Sequence, residues 1–477
     1  MNSITADVAV IGAGSAGLSA YRAARSHGKR VVLIEGGPYG TTCARVGCMP
    51  SKLLIAAAEA AHAMSIALAF GVHAGTVRID GRAVMRRVRT ERDRFVDFVL
   101  EGVEQIAAAD KLRGHARFIN AQCLQIDDHT RVQAGRIVIA VGSSAQVPLP
   151  LQALGDRLVI NDDVFDWNDL PESIAVIGTG AIGLEIGQAL HRLGVRVTLF
   201  GRGAQLAGIR DPDVLASARA AFESELDLRL DTTLVRAVRY ADGVALTVVG
   251  SDGVERTEQF SLVLAATGRI PNLERLNLGQ SGLSLDARGI PHFNRHTMQC
   301  GASTIFIAGD ADNERPLLHE AADQGRIAGD NAGRFPDVQP GLRRALLAIA
   351  FTDPQIAVVG AGFHALEPGR TASGEVRFDD QGRSRVMLQN RGLLRLYGEY
   401  GSERFLGAEL CGPRAEHLAH LMAWALQAGM TVPQMLQMPF YHPVVEEGLR
   451  TALRDLNGRL KHGLPEIDHC MDCTPGV

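Results

Sequence analysis

The stretch Asp7–Glu35, DVAVIGAGSAGLSAYRAARSHGKRVVLIE, reads as strand, glycine turn, helix and strand in one unbroken run. Asp7–Ile11 is a short apolar strand that enters Gly12-Ala13-Gly14-Ser15-Ala16-Gly17. A helix follows to about His27, and the strand Arg30–Ile34 ends at Glu35. Gly12, Gly14 and Gly17 let the backbone approach a pyrophosphate at a helix N-terminus, and a terminal acid such as Glu35 accepts the ribose hydroxyls of an adenosine. A lone G-x-G-x-x-G says little. Strand, glycines, helix and acid in this order predict a dinucleotide-binding βαβ unit.

The pattern recurs. Strand Ile174–Ile177 leads into Gly178-Thr179-Gly180-Ala181-Ile182-Gly183, a helix to about Leu193 and the strand Arg196–Phe200. Two fingerprints imply two dinucleotide sites, most simply one for a flavin (FAD) and one for a nicotinamide. Counting on from Gly178 by the Gly12-to-Glu35 spacing lands on Gly201, where there is no acid. Arg202 follows at once and Arg210 lies a few residues on. Loss of the ribose-binding acid removes the main group favouring NAD, and an arginine can hold a 2′-phosphate, so NAD and NADP both stand as candidates.

Between the fingerprints lies Gly40–Lys52, GTTCARVGCMPSK, with four residues between Cys43 and Cys48. Along an ideal helix that spacing separates the Cα atoms by roughly 8 Å, beyond the usual disulfide span. A bridge here needs a distorted first helical turn, and strained bridges are the easier ones to reduce. A long helical region runs on to about Ala109. Its basic run Arg86, Arg87, Arg89, Arg92 and Arg94 is interleaved with Glu91, Asp93 and Asp97, as on a solvated helix face. Further strands are expected at Arg136–Val141, ending in Gly142, at Leu262–Thr267, ending in Gly268, and at Thr304–Ala308, ending in Gly309-Asp310. An acid such as Asp310, at a strand end beside a helix start, suits a ribityl or ribose hydroxyl. From about Leu342 alternating strands and two helices without a glycine fingerprint mark a different domain.

Composition agrees with an ordinary globular α/β enzyme. The 477 residues carry a net charge of −4, 46% hydrophobic and 21% charged residues, and no strong basic excess, so no nucleic-acid partner is expected. The 52 glycines against 5% aromatics fit many tight turns, and seven irregularly spaced cysteines do not read as a secreted disulfide scaffold. The N-terminus shows no charged-then-apolar signal. Leu53–Phe70 alone imitates a membrane span, but Glu59, His62 and Ser65 interrupt it, so a buried helix, no membrane and a cytoplasmic location are expected.

Taken together, the C-x4-C-x-P-S-K segment, the second G-x-G-x-x-G-x-E, Ala266-Thr267-Gly268-Arg269-x-Pro271-Asn272, Ala308-Gly309-Asp310 and His442-Pro443 with Glu447 resemble the flavoprotein disulfide reductases, in the dihydrolipoamide dehydrogenase, glutathione reductase and mercuric reductase group. The resemblance implies two Rossmann-like domains and an α+β dimerisation domain: an FAD domain at 1–147, an NAD(P) domain at 148–270, a return to the FAD unit at 271–341, dimerisation at 342–465 and a tail at 466–477. It also implies roles. Cys48 would face the flavin and Cys43 the substrate. Lys52 would sit near the flavin with Glu185 as ionic partner. Asp310 would hold the ribityl chain, with Gly142, Leu318 and His319 also at the FAD, while Gly268 and Arg202 would serve the NAD(P) site. His442, oriented by Glu447, would move the proton, reaching the disulfide of the other subunit of a homodimer. Histidine suits that task, since only a thiolate attacks a disulfide and one base must take and return a proton near neutral pH.

The expected activity is FAD-dependent dithiol–disulfide exchange coupled to NAD(P)(H), with dihydrolipoamide, free or on a lipoyl domain, as first substrate. The alternative is NADPH-driven reduction of another disulfide, or of metal ions through the tail thiols Cys470 and Cys473. No resident metal is expected. Thr41, Arg45, Tyr441 and Val444 depart from the residues usual in the group and bear on the substrate entrance.

Overall fold

Strand Asn2–Ile11 begins five residues before the expected start, and its side chains alternate between two buried layers. Ala6, Ala9 and Ile11 join one core with Ile34, Ile137 and Ile139. Val8 and Val10 join another with Leu33, Val138 and Ala328. A strand buried on both faces is what a parallel sheet flanked on each side requires. The computed structural model describes residues 2–462. These fall into two compact units, one made of the chain up to Leu53, Arg86–Gln146 and Gly268–Arg344, the other of Leu54–Met85, Val147–Thr267 and the chain from Ala345 on.

The first unit is built on a seven-stranded sheet. Lys111–Arg113, Val31–Glu35, Asn2–Ile11 and Thr130–Ile139 run parallel in that order. The last of these divides its partners. Its C-terminal half pairs with Ile305–Ile307, while Thr130–Gln133 pair antiparallel with Cys123–Ile126. Helix Ser15–Ser26 packs against Leu318–Arg334 through small residues. A Cβ on Gly325 would run into the carbonyl of Ala16, and one on Gly329 would come 2.7 Å from the Cα of Ala20.

The second unit holds three sheets. Asp227–Arg229, Arg196–Phe200, Ser173–Ile177, Leu262–Ala265 and Leu158–Val159 form a parallel one. Thr233–Tyr240, Gly243–Val249 and Glu255–Phe260 form an antiparallel one. The third is antiparallel and five-stranded, in the order Leu347–Ala350, Gln355–Gly360, Phe405–Gly412, Leu393–Glu399 and Thr371–Arg377. Helices Ala415–Gln427 and Glu446–His462 cover it, burying Phe378, Leu410, Met422, Leu453 and Leu456.

Two expectations need correcting. The helical region after the cysteines is not continuous to Ala109. Helix Cys48–Ile66 and the 3-10 turn Ala67–Phe70 are separated from helix Gly81–Glu104 by a stretch that starts at Gly71, whose φ of 76° closes the turn. Nor is Leu53–Phe70 a buried helix. The segment Thr42–Phe70 is long and apolar enough to cross a membrane by length and composition, and 11% of its most apolar window is buried in this chain. The reason lies in its composition: Ser51, Leu54 and Ala58 form a narrow inner stripe, while alanines supply hydropathy and helix propensity without needing burial.

Candidate active site

The two fingerprints have the same geometry. Gly12 and Gly178 take φ of 104° and 117°, and a Cβ on either would collide with a strand-end carbonyl, Ala140 O or Ala266 O. Gly17 and Gly183 each lie against the carbonyl of the first glycine, which brings helix and turn together. Gly14 and Gly180 stand at the N-caps of helices Ser15–Ser26 and Ala181–Arg192. Neither helix start has a side-chain cap, and a Cβ at either glycine would meet nothing within 4 Å. Helix amides left open beside free space are what a pyrophosphate occupies.

Around the first fingerprint Glu35 closes the turn, accepting the Ala13 N–H at 2.7 Å and the Gly37 N–H at 2.7 Å. Asp310 accepts the Ser143 hydroxyl at 2.6 Å, and Arg269 donates to Ser143 Oγ at 2.8 Å and to its carbonyl at 2.6 Å. Gly142 has a φ of 67°, which turns the chain before Ser143. Leu318 is exposed at the start of its helix, and among the described residues the buried Nε2 of His319 beside it has no hydrogen-bond partner. The Tyr39 hydroxyl is orphaned in the same way. Buried polar atoms without partners are costly, so the open amides, Asp310 and these atoms fit a large polar ligand such as FAD.

The second fingerprint ends differently. The N–H of Gly201 donates to Arg229 O at 2.9 Å and its carbonyl accepts from Thr232 at 2.8 Å. A Cβ there would lie 2.9 Å from Leu230 Cδ2 and 3.1 Å from Gly203 O. Gly268, with a φ of 117°, heads the strand Arg269–Pro271 in the first unit. Arg202 and Arg210 are exposed, and among the described residues neither guanidinium has a hydrogen-bond or ion-pair partner.

The cysteine segment carries the distortion its spacing demands. Helix Thr42–Val46 stops at Gly47, with φ −130° and ψ −113°, and a new helix begins at Cys48. A Cβ on Gly47 would lie 3.0 Å from Thr42 O and 3.3 Å from Cys43 Cα, so the break is packed tight. The sulfurs meet across it. The hydrogen bond with Cys48, and then burial, push the Cys43 thiol well above the ordinary range, against the pull of the Lys52 charge. The Cys43 thiol is thus held towards its protonated form. Lys52 Nζ donates to Ser51 Oγ at 3.4 Å. Glu185 is buried and accepts the Phe351 N–H at 2.9 Å.

His442 is joined to Glu447, Nδ1 to Oε1 at 2.7 Å, at the start of helix Glu446–His462. The other carboxylate oxygen accepts the Val444 N–H at 3.0 Å. Glu447 is 5% exposed at the side chain and His442 59%. Since the carboxylate only accepts, Nδ1 donates, and in the neutral ring Nε2 carries the lone pair. The chemistry within reach is proton transfer by one exposed imidazole and thiol exchange at a proton-holding sulfur.

Ser143 and the Arg269 side chain were not evident as site residues from sequence. Arg269 lies in a motif, but nothing local marks the serine it grips. Among the described residues no group of three or more His, Cys, Asp or Glu is placed to hold a metal ion. Cys470 and Cys473 lie outside the described residues.

Comparison with known proteins follows the same lines. The family model for pyridine nucleotide-disulphide oxidoreductases matches residues 6–325, and that for their dimerisation domain residues 347–453. A mercuric reductase of Acidithiobacillus ferrooxidans is 32% identical over 95% of this chain and 83% of its own length. A dihydrolipoyl dehydrogenase of Thermus scotoductus is 30% identical over 96% of this chain and 99% of its own. The Cu(II) complex of the HOCl-induced flavoprotein disulfide reductase RclA from Escherichia coli shares the fold, with a TM-score of 0.79 at 22% identity over 95% of this chain and 99% of that one. The chain belongs to the pyridine nucleotide-disulphide oxidoreductases, a family of FAD-dependent enzymes that use NAD(P).

Proposed function

We propose that the chain catalyses exchange between Cys43–Cys48 and a small dithiol of the dihydrolipoamide class, coupled through FAD to NAD(P)(H). The observation that carries this reading is the exposed His442 held Nδ1 to Oε1 by the buried Glu447 at 2.7 Å, a proton-transfer group in a chain whose Cys43 thiol is hydrogen-bonded to Cys48 and held towards its protonated form. A raised thiol is a poor nucleophile by itself, so exchange at Cys43 needs a base, and the reverse reaction needs the same group as acid.

In the oxidative direction His442 takes the proton of a substrate thiol, and the resulting thiolate attacks the Cys43 sulfur of the Cys43–Cys48 disulfide. The S–S bond breaks and Cys48 leaves as thiolate. The second substrate thiol displaces Cys43 and closes the substrate disulfide; Cys43 leaves with the proton that His442 held, and His442 then takes the proton of the second thiol and passes it to solvent. Glu447 fixes the imidazole tautomer and supports its charged form. Bound FAD supplies the two-electron link between Cys48 and the nicotinamide. Gly14 and Gly180 open the two pyrophosphate sites, Glu35 holds the adenosine ribose and Asp310 the ribityl chain. Lys52, in the helix that starts at Cys48, would lie by the flavin. Leu318 and His319 stand at its pyrimidine end.

A second reading concerns direction. Arg202 and Arg210 without partners, at a strand end whose Gly201 cannot take an acid unless its neighbours shift, support NADPH over NADH and so a reductive role. One set of assays tests both. Purified enzyme is titrated anaerobically with NADH and NADPH, then turned over with dihydrolipoamide and either NAD+ or NADP+, and with lipoamide, oxidised glutathione and Hg(II). Turnover with dihydrolipoamide that disappears in Cys43→Ser is expected, as is a preference for NADPH that falls about tenfold in Arg202→Ala. Turnover of glutathione or Hg(II) without lipoamide would overturn the substrate class. A preference for NADH untouched by Arg202→Ala would remove the arginine argument.

A further inference from the structure

The turn that carries His442 has few anchors. Tyr441 is 79% exposed, and His442 and Pro443 beside it are exposed too. Val445 is the first core residue after them, at 4% exposure. What sets the turn is a chain of hydrogen bonds that begins in another element. Gln381 caps the short helix Gly382–Val386 and is 2% exposed. Its Oε1 accepts both the N–H and the hydroxyl of Ser384, each at 2.7 Å. Its Nε2 donates to the carbonyl of Val444 at 2.9 Å. Val444 in turn gives its N–H to Glu447 Oε2, and Glu447 Oε1 holds His442.

Val444 is thus held at both polar groups, its carbonyl by Gln381 and its amide by the carboxylate that orients the imidazole. The Gln381 stem also lies under the helix start, since a Cβ on Gly448 would sit 3.6 Å from Gln381 Cγ and 3.2 Å from Phe378. Glutamine has the reach for this. Its amide accepts from Ser384 at one end and donates to Val444 at the other, whereas a side chain one methylene shorter spans roughly 1.5 Å less. We propose that Gln381 is a positioning residue for the acid–base pair, fixing through Val444 where Glu447 presents His442 to the dithiol. The inference rests on His442 being the proton-transfer group and deepens that reading.

Two variants separate this role from simple capping. Gln381→Glu keeps an oxygen for Ser384 but turns a second oxygen, not a donor, towards Val444. Gln381→Met loses both contacts at similar volume. Flavin-loaded enzyme is assayed for dihydrolipoamide oxidation and, beside it, for NAD(P)H-driven reduction of ferricyanide, which needs no proton transfer to a thiol. Both variants are expected to lose about tenfold in dithiol turnover and to stay within about twofold in ferricyanide reduction. Three results would overturn the inference: a wild-type rate in Gln381→Glu with a slow Gln381→Met, which would assign Gln381 to the cap alone; a parallel fall of both activities, which would mean general damage; or no fall at all. His442→Gln is the reference. If it keeps dithiol turnover, the reading of His442 itself fails, whereas its loss alongside unaffected Gln381 variants sinks only the positioning role.

Discussion

Thr41 is a residue in a place made for glycine. Its φ of 58° with ψ of 150° is a region β-branched side chains rarely enter, and strain of this kind costs on the order of 1–3 kcal/mol. Its hydroxyl recovers part by accepting the Ala44 N–H at 3.3 Å, a cap that glycine replaces at a cost of a few tenths of a kcal/mol. Thr41→Gly is therefore expected to stabilise the protein by about 1 kcal/mol, seen as a higher melting temperature of the flavin-loaded enzyme; a lower one would show that the cap outweighs the strain. Asp312 gives a second residue-scale prediction. Burial, helped by the Glu314 charge and opposed by the Glu314 N–H, pushes its carboxyl up to about 7, and Oδ2 has no partner. The sign follows from proton counting. Between the ordinary carboxyl range and pH 7 the folded chain binds a proton that the unfolded chain has released, so stability falls as pH rises through that window, by roughly 4 kcal/mol at most. Asp312→Asn removes the titration. Its melting temperature relative to wild type should climb from pH 4 to pH 7 and level off above, and a constant difference would place the titration elsewhere. Neither residue's strain could be read from sequence. The cysteine pair and His442–Glu447 could be, because their chemistry is written in residue type and spacing, whereas Thr41 and Asp312 depend on a backbone angle and a burial that no neighbour in the chain announces.

At the scale of elements, helix Ser15–Ser26 and helix Leu318–Arg334 show how two distant parts of the chain are brought together where FAD is proposed to bind. The first presents open amides at Gly14 and the second carries Leu318 and His319, and their distance is set by Gly325 and Gly329 lying on Ala16 and Ala20. A methyl group on Gly329 would come 2.7 Å from Ala20 Cα, and neither backbone can yield without separating the helices. Gly329→Ala is therefore expected to cost about 1–3 kcal/mol and to weaken FAD retention, measured as flavin released on dilution or in mild urea. Retention equal to wild type would mean that the helices slide without disturbing the site. The fingerprints themselves were legible because their signal is local: a strand, three glycines and a helix within thirty residues. The helix pairing was not, since glycine within Leu318–Arg334 reads from sequence as a weakness of the helix and only packing reveals it as a contact. The strand Thr130–Ile139 was half legible for a similar reason. Its apolar C-terminal half announces itself, while its N-terminal half earns its place by antiparallel pairing with Cys123–Ile126.

For the whole molecule, the second unit carries the exposed His442 in the turn before helix Glu446–His462, within residues 347–453 that match the family's dimerisation domain. The segment Leu53–Phe70, expected from sequence to be a buried helix, leaves most of its surface outside this chain's core, and Trp424 on helix Ala415–Gln427 is 69% exposed. Alanine-rich hydropathy does not by itself require an interior, which is why that expectation failed. If the proton-transfer group reaches the disulfide of the other subunit, the dimer is the catalytic unit, and subunit mixing tests it directly. Cys43→Ser keeps His442 but has no exchanging sulfur; His442→Gln keeps the cysteines but has no base. Each homodimer is expected to be nearly inactive towards dihydrolipoamide. Unfolding and reassociating an equal mixture makes about half of the dimers mixed, and in each of these one site combines intact cysteines with the partner's His442 while the other lacks both groups. Turnover should then return to about one quarter of the wild-type value. Were the base supplied within one chain, the mixed dimer would contain two broken sites, and the mixture would stay as inactive as its parents.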